Sequence, residues 1–219
     1  MITNRLENIL SHISGKTMAD IGTDHAYIPI SLVRDGRCMG AIACDIKPGP
    51  LKIAEQNLKK YSLEDKIELR LGAGLEPLNE GEVESVVIAG MGGEMIINIL
   101  KNEKSRSFSE FILQPMNYQR ELRLWLLEND FSIISEDLSS EGFKVYNLLK
   151  VIPKKSVKKP TEIELHLPKS LRNHPLFPML FDKKKREFTK ILTGLKKAEI
   201  KDHELIKNYE NLLGEMEKI

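Results

Sequence analysis

Cysteine is nearly absent: Cys38 and Cys44 are the only two in 219 residues. Six apart and without neighbouring histidines, they make neither a zinc-ligand set nor a disulfide framework. They are expected as free thiols of a reducing cytoplasm, and no metal site is expected. Long apolar runs are missing too, and nothing approaches the roughly 20 residues of a helical membrane span. Arg5 and Glu7 interrupt the apolar residues of the first ten positions, so the N-terminus reads as a short amphipathic helix and not a signal peptide. Internal repeats and low-complexity tracts are lacking. What remains is the composition of a charged globular protein, 41% hydrophobic and 30% charged, long enough for one full domain and an appendage.

An excess of charge is also missing overall, since the net value is +1, but the two ends differ. Residues 150–219 hold 17 Lys and Arg against 10 Asp and Glu, and residues 1–149 hold 16 against 22. A mildly acidic domain joined to a basic tail points to a polyanionic partner for the tail, against the plainer reading of a solvated lysine-rich hairpin.

Strand and helix patterns alternate as far as residue 128. Thr17 to Ile21 is a buried strand, followed by a helix from Ala26 to Asp35. Cys38 to Cys44 is a second strand, and Pro48 to Lys60 a helix with proline in its first turn. Ile67 to Leu71 alternates as a third strand. Val83 to Ala89, with its unbroken Val86-Val-Ile-Ala, is a central one. Phe111 to Leu113 is the fifth, and a helix to about Glu128 follows, capped by Asn117 with Leu122, Trp125 and Leu126 inward. Two further strands, Phe131 to Leu138 and Phe143 to Val151, are joined by Ser139-Ser-Glu-Gly142 alone, which forces an antiparallel hairpin. Five βα units closed by a hairpin predict an α/β class I methyltransferase (Rossmann-like) fold. It would have a seven-stranded sheet with its antiparallel strand at the edge, spanning residues 1–152. Residues 153–219 are expected to begin with a linker, Pro153 to Pro160. A C-terminal antiparallel, coiled-coil-like helical hairpin follows, with one helix from Leu180 to Glu199 and a second carrying Leu205, Tyr209, Leu212 and Met216. Monomer or weak dimer is the expected state.

Ligands of open α/β sheets lie at the carboxyl ends of the strands. Here those exits are Asp20-Ile-Gly-Thr-Asp-His25, Asp45-Ile-Lys47, Gly72-Ala-Gly74, Gly90-Met-Gly-Gly93 and Gln114-Pro-Met116. Asp45, 25 residues after Asp20, stands where a carboxylate accepts ribose hydroxyls; an exposed loop aspartate is the plainer alternative. Gly22 leaves room for the amino-acid or phosphate end of a ligand. Asp20 would bind an ammonium or hydrogen-bond the turn. A pyrophosphate fingerprint would place a second glycine where Asp24 stands. That carboxylate would repel a dinucleotide and favour a cationic ligand such as S-adenosylmethionine. Ile46, Gly72, Ala73, Gly90 and Met91 complete the expected cofactor site.

Asp20-Ile-Gly-Thr-Asp-His-Ala-Tyr27, Asp45 with Gly49-Pro-Leu51, Ala89-Gly-Met-Gly-Gly93 and Gln114-Pro-Met116 together resemble the TrmK family of bacterial tRNA methyltransferases. The resemblance implies methylation of N1 of adenine 22 in tRNA from S-adenosylmethionine. The chain departs from the family at Ala73, where an aspartate ordinarily contacts the cofactor's adenine, leaving backbone contacts at Gly72 and Ala73. Adenine N1 has a free lone pair and attacks without prior deprotonation, so orientation and exclusion of water are the main tasks. Asp24 is the candidate carboxylate to stabilise the cationic base, with a helix cap as its rival role; His25 and Tyr27 are candidate positioning groups. The target base must leave its stack. Gln114, Met116, Arg120 and Arg123 near the active edge, and Lys183, Lys184, Lys185 and Arg186 in the tail, are the candidate RNA contacts. The absence of an Asn/Asp-Pro-Pro-aromatic motif argues against methylation of an exocyclic amine. A methyltransferase acting on a small molecule or protein, and a non-catalytic RNA-binding scaffold, are the alternatives.

Overall fold

A computed structural model describes residues 3–156 and 159–219, and the part of the expected linker at positions 157 and 158 lies outside them. The chain divides into two compact units, Met1–Val157 and Lys158–Ile219.

The first unit is built on strands β1 (Thr17–Ile21), β2 (Gly40–Asp45), β3 (Ile67–Leu71), β4 (Ser85–Met91), β5 (Glu110–Pro115), β6 (Ser132–Glu141) and β7 (Lys144–Ile152). They form one sheet in the order β3-β2-β1-β4-β5-β7-β6. β1 to β5 are parallel, and β7 runs antiparallel to both of its neighbours. The antiparallel strand is therefore inserted beside β5, and β6 is the outermost: the expected edge placement is corrected. The reason lies in register, since β7 pairs with β5 through Phe111–Val151 and Leu113–Leu149. That contact buries Leu149 and Val151 completely.

Side chains of central strands alternate between two cores, as the period of two demands. Met18, Val87, Ile112 and Leu148 face one, under α1 (Asn4–His12), α2 (Tyr27–Arg34) and α3 (Pro48–Tyr61). Ala19, Val86, Ile88, Phe111 and Leu149 face the other, under α4 (Gly93–Leu100) and α5 (Gln119–Glu128). A sheet covered on both faces needs unbroken apolar strands, which is why Val86, Val87 and Ile88 run together. At the bottom of the sheet, Glu110 ties three elements together. Its carboxylate accepts from Ser14 Oγ (2.6 Å) and Ser85 Oγ (2.6 Å) and pairs with Lys150 Nζ (2.9 Å). Burial opposes its ionisation, but these donors prevail and hold its pKa down to about 2.

Three local expectations change. Asn117 does not cap α5; Tyr118 occupies that position with φ +52° and no side-chain cap. Asp24 does not cap α2, whose N-cap is Ala26 at φ +58°. The hairpin strands extend into the expected turn, so that Glu141 pairs with Lys144 and only Gly142 and Phe143 link them.

The second unit contains α6 (Glu162–His166), missed in the sequence because it is a five-residue helix, α7 (Phe177–Lys197) and α8 (His203–Met216). Thr161 and Glu164 form a reciprocal capping box that sustains α6. α7 and α8 pack together, with Lys196 Nζ 2.6 Å from Glu210 Oε1 and the Phe188 and Tyr209 rings 5.6 Å apart. Of the expected stripe on α8, Leu212 and Met216 are buried while Leu205 is exposed.

Candidate active site

β1 and β4 are neighbours, with β2 and β3 leading away on one side and β5 on the other. The strand order reverses there, and connecting segments diverge from that point, leaving a crevice. It holds a cleft of about 800 Å³ lined by Asp20, Gly22, Thr23, Asp24, His25, Tyr27, Ala89 and Gly90, with Arg5 and Tyr61 among its walls.

Asp20 is the innermost charge. It is 5% exposed, and its Oδ2 accepts from Thr23 Oγ1 at 2.8 Å. Burial, with the neighbouring Asp45 adding to it, pushes its pKa up to about 6 against the Thr23 bond. A carboxylate in that condition lacks a countercharge. The turn above it is tight: Gly22 and Thr23 both donate backbone N–H to Cys44 O (2.8 and 2.9 Å). Gly22 has φ +77°, a backbone conformation that favours glycine; a Cβ there would also meet Met91 Cε at 2.3 Å, the mobile end of a side chain that can move aside.

Asp24 follows at φ +44°, a left-handed conformation that aspartate tolerates better than most residues. The turn holds its side chain out, 72% exposed, with His25 Nε2 3.3 Å from its Oδ2. The His25 and Tyr27 rings lie 5.2 Å apart, and Asn57 Nδ2 donates to His25 O at 2.9 Å. His25 Nδ1 is buried with no hydrogen-bond partner. A carboxylate, an imidazole and a half-exposed phenol thus stand together at the mouth.

Apart from Gly90, which lines the cleft, the other expected cofactor residues lie at adjacent strand exits outside its lining. Asp45 Oδ1 accepts from Lys47 N at 2.8 Å, and Gly72 N donates to Asp45 O at 3.0 Å, which joins the exits of β2 and β3. Ile46 is exposed beside them, and Ala73 is half-buried. Gly90 has φ +77° at a register shift between Ala89 and Met91, and Met116 N donates to Met91 O at 2.8 Å.

Gln114 is fully buried at the end of β5. Its Oε1 accepts from Arg5 Nη1 at 3.0 Å, and its Nε2 has no partner. Arg5, on α1, also lies 3.8 Å from Glu141 and 5.5 Å from the Tyr146 ring centre. Sequence reasoning missed Arg5; its only signal was a cation within an amphipathic stripe. Met116 is exposed, and Arg120 is half-buried 3.7 Å from Glu121.

Two expected RNA contacts are corrected. Arg123 is 3% exposed, its Nε 2.7 Å from Glu136 and its Nη2 3.0 Å from Asn147 Oδ1, because α5 turns that face onto the hairpin. Lys184 is buried on the inner face of α7 and donates to Glu187 at 3.0 Å, whereas Lys183, Lys185 and Arg186 are exposed. The cysteines are free and buried; burial pushes the Cys44 thiol up to about 12 and the Cys38 thiol upward as well. Among the described residues no three His, Cys, Asp or Glu side chains are grouped to hold a metal, and no helix is long and apolar enough to cross a membrane.

Residues 2–149 match the family model described as a methyltransferase domain. The chain is 37% identical over 151 residues to the tRNA (adenine(22)-N(1))-methyltransferase of Bacillus subtilis, an alignment covering 68% of this chain and 63% of that protein. The solved structure of Streptococcus pneumoniae Sp1610 is 31% identical with a TM-score of 0.89, covering 100% of this chain and 99% of that one. TrmK of M. capricolum, solved with S-adenosyl-homocysteine, is 29% identical with a TM-score of 0.84, covering 100% and 97%.

A sheet of this order, with acid and glycine at its exits and a buried carboxylate facing the crevice, defines a class I methyltransferase. Within that class the chain belongs to the TrmK family of tRNA methyltransferases.

Proposed function

We propose that the chain transfers a methyl group from S-adenosylmethionine to N1 of an adenine in tRNA, position 22 by family, in the cytoplasm. The observation that carries the reading is the division of one cleft into a buried acid and an exposed acid, Asp20 and Asp24, on either side of Gly22.

The fit to the methyl donor rests on Asp20. A buried carboxylate held near pKa 6 is returned to its ionised form by an ammonium group, which the donor's amino-acid end carries. Gly22 and Gly90, both left-handed, admit the ligand close to the backbone. In this reading Asp45 takes the ribose, and Ile46, Gly72, Ala73 and Met91 take the adenine and its surroundings. Bound there, S-adenosylmethionine supplies an electrophilic sulfonium methyl.

The chain's own contribution is then positional and electrostatic. N1 needs no base to become nucleophilic, so His25 and Tyr27 act by orienting the flipped adenine. As N1 gains a bond the ring becomes cationic, and Asp24, exposed at the mouth, supplies the compensating charge. In this reading Met116, just past the end of β5, borders the base and Gln114 acts through the Arg5 that it holds at the cleft, while Arg120 with Lys183, Lys185 and Arg186 offers cations to RNA phosphates.

Purified protein, labelled methyl donor and unmodified tRNA should yield 1-methyladenosine on digestion. Asp24→Asn should lower kcat by about 10²-fold while leaving donor affinity intact, as expected for loss of one electrostatic group. Absence of 1-methyladenosine with a competent tRNA pool, or an Asp24→Asn variant as fast as the parent, overturns the reading.

A further inference from the structure

Phe143 is more exposed than any other large apolar side chain among the described residues. It occupies the second position of the two-residue turn between β6 and β7, after Gly142 at φ +57°. Gly142 supplies the left-handed first position of the turn, and nothing in the turn's geometry calls for a phenyl ring at the second. The ring covers no core either.

Register shows where the tip points. β5 ends at Pro115, two residues beyond the Leu113–Leu149 pair, whereas antiparallel β7 begins at Lys144, five residues before Leu149. The hairpin therefore overruns β5 by about three residues, roughly 10 Å, on the side of the sheet where the cleft opens. Its tip is tied to the cleft wall, for Glu141, the residue just before the turn, lies 3.8 Å from Arg5, and Arg5 lines the cleft. Lys144, exposed beside the ring, adds a positive charge suited to a polyanion.

We propose that the β6–β7 hairpin is an RNA-contacting arm and that Phe143 stacks on a nucleobase next to the flipped adenine. The inference rests on the tRNA reading above. Extruding a base from its stack leaves its neighbours with an uncovered face, and an aromatic ring at the rim of the cleft replaces the lost stacking. The aromatic type matters: aliphatic carbon covers a base without reproducing the π-stack.

The test uses the full chain with Phe143→Trp, Phe143→Leu and Phe143→Ala. Tyr and Trp-type rings retain stacking, so the Trp variant should bind tRNA like the parent, and its added indole emission should be quenched by tRNA. The Leu and Ala variants should bind tRNA about tenfold or more weakly, with S-adenosylmethionine affinity unchanged in all three. Equal tRNA affinity for Ala and parent, or equal affinity for Leu and Trp, overturns the stacking. Indole quenching that tracks protein concentration without RNA would mean that a second copy covers the ring, and would also overturn it. Binding and quenching are read without turnover, so a chain that binds tRNA through Phe143 but forms no 1-methyladenosine would fail only the function reading.

Discussion

Replacing Asp20 by Asn should make the protein more stable and worse at holding its methyl donor. The folded pKa of Asp20 is about 6 against an ordinary value of 3.8. A folded pKa raised above the unfolded one gives a stability contribution that is complete below 3.8 and is lost as pH rises through 6. At about 1.4 kcal/mol per unit, ionising Asp20 in the folded chain at pH 8 costs on the order of 3 kcal/mol. Asn accepts the Thr23 bond through its own oxygen and does not titrate, so its advantage over the parent should grow from near zero at pH 3.5 to roughly 2–3 kcal/mol at pH 8. In a chain of this size that difference raises Tm by on the order of 5 °C. The difference between variant and parent, followed by thermal unfolding across pH, cancels the other titrating groups. Calorimetry at pH 8 should show S-adenosylmethionine binding weakened about 10- to 100-fold, the worth of a hydrogen bond to a charged group. Parent affinity should itself fall below pH 6, with proton release on binding there. An Asn variant no more stable at pH 8 than at pH 3.5 relative to the parent, with unchanged donor affinity, refutes the reasoning.

Two further substitutions probe the same sheet. Ala73→Asp should restore a carboxylate at the exit of β3 and tighten S-adenosylmethionine binding about tenfold by calorimetry, the lower end of a charged hydrogen bond's contribution. Arg123→Ala should leave Glu136 buried without that partner and lower stability by about 3–5 kcal/mol in thermal unfolding, while tRNA affinity measured below the transition stays within twofold of the parent. A large loss of tRNA affinity without destabilisation would return Arg123 to the RNA-binding face.

The strands, their order along the chain and the glycines at their exits were legible because periodicity and turn chemistry are local properties. Asp20, Gly22, Asp24, His25, Tyr27 and Gly90 meet in one cleft because consecutive parallel strands deliver their carboxyl ends to one edge. Arg123 was misread for the opposite reason. An arginine on an amphipathic helix looks solvated until the hairpin is folded against it, and its partners Glu136 and Asn147 lie 13 and 24 residues away. Lys184 differs from Lys183 and Lys185 only in helical phase, which decides between a buried donor to Glu187 and exposed cations. Arg5 was overlooked because its bond to Gln114 spans 109 residues.

By itself, then, the sequence determined the alternation of elements, the left-handed glycine after β1 and the pair of acids that flank it, all set within a few residues of chain. Tertiary structure alone decided that β7 inserts between β5 and β6, that α1 brings Arg5 to the cleft, and that burial beside Asp45 raises Asp20 toward neutrality. Those outcomes depend on desolvation and on contacts between distant segments, quantities that come into being only when the chain is closed upon itself.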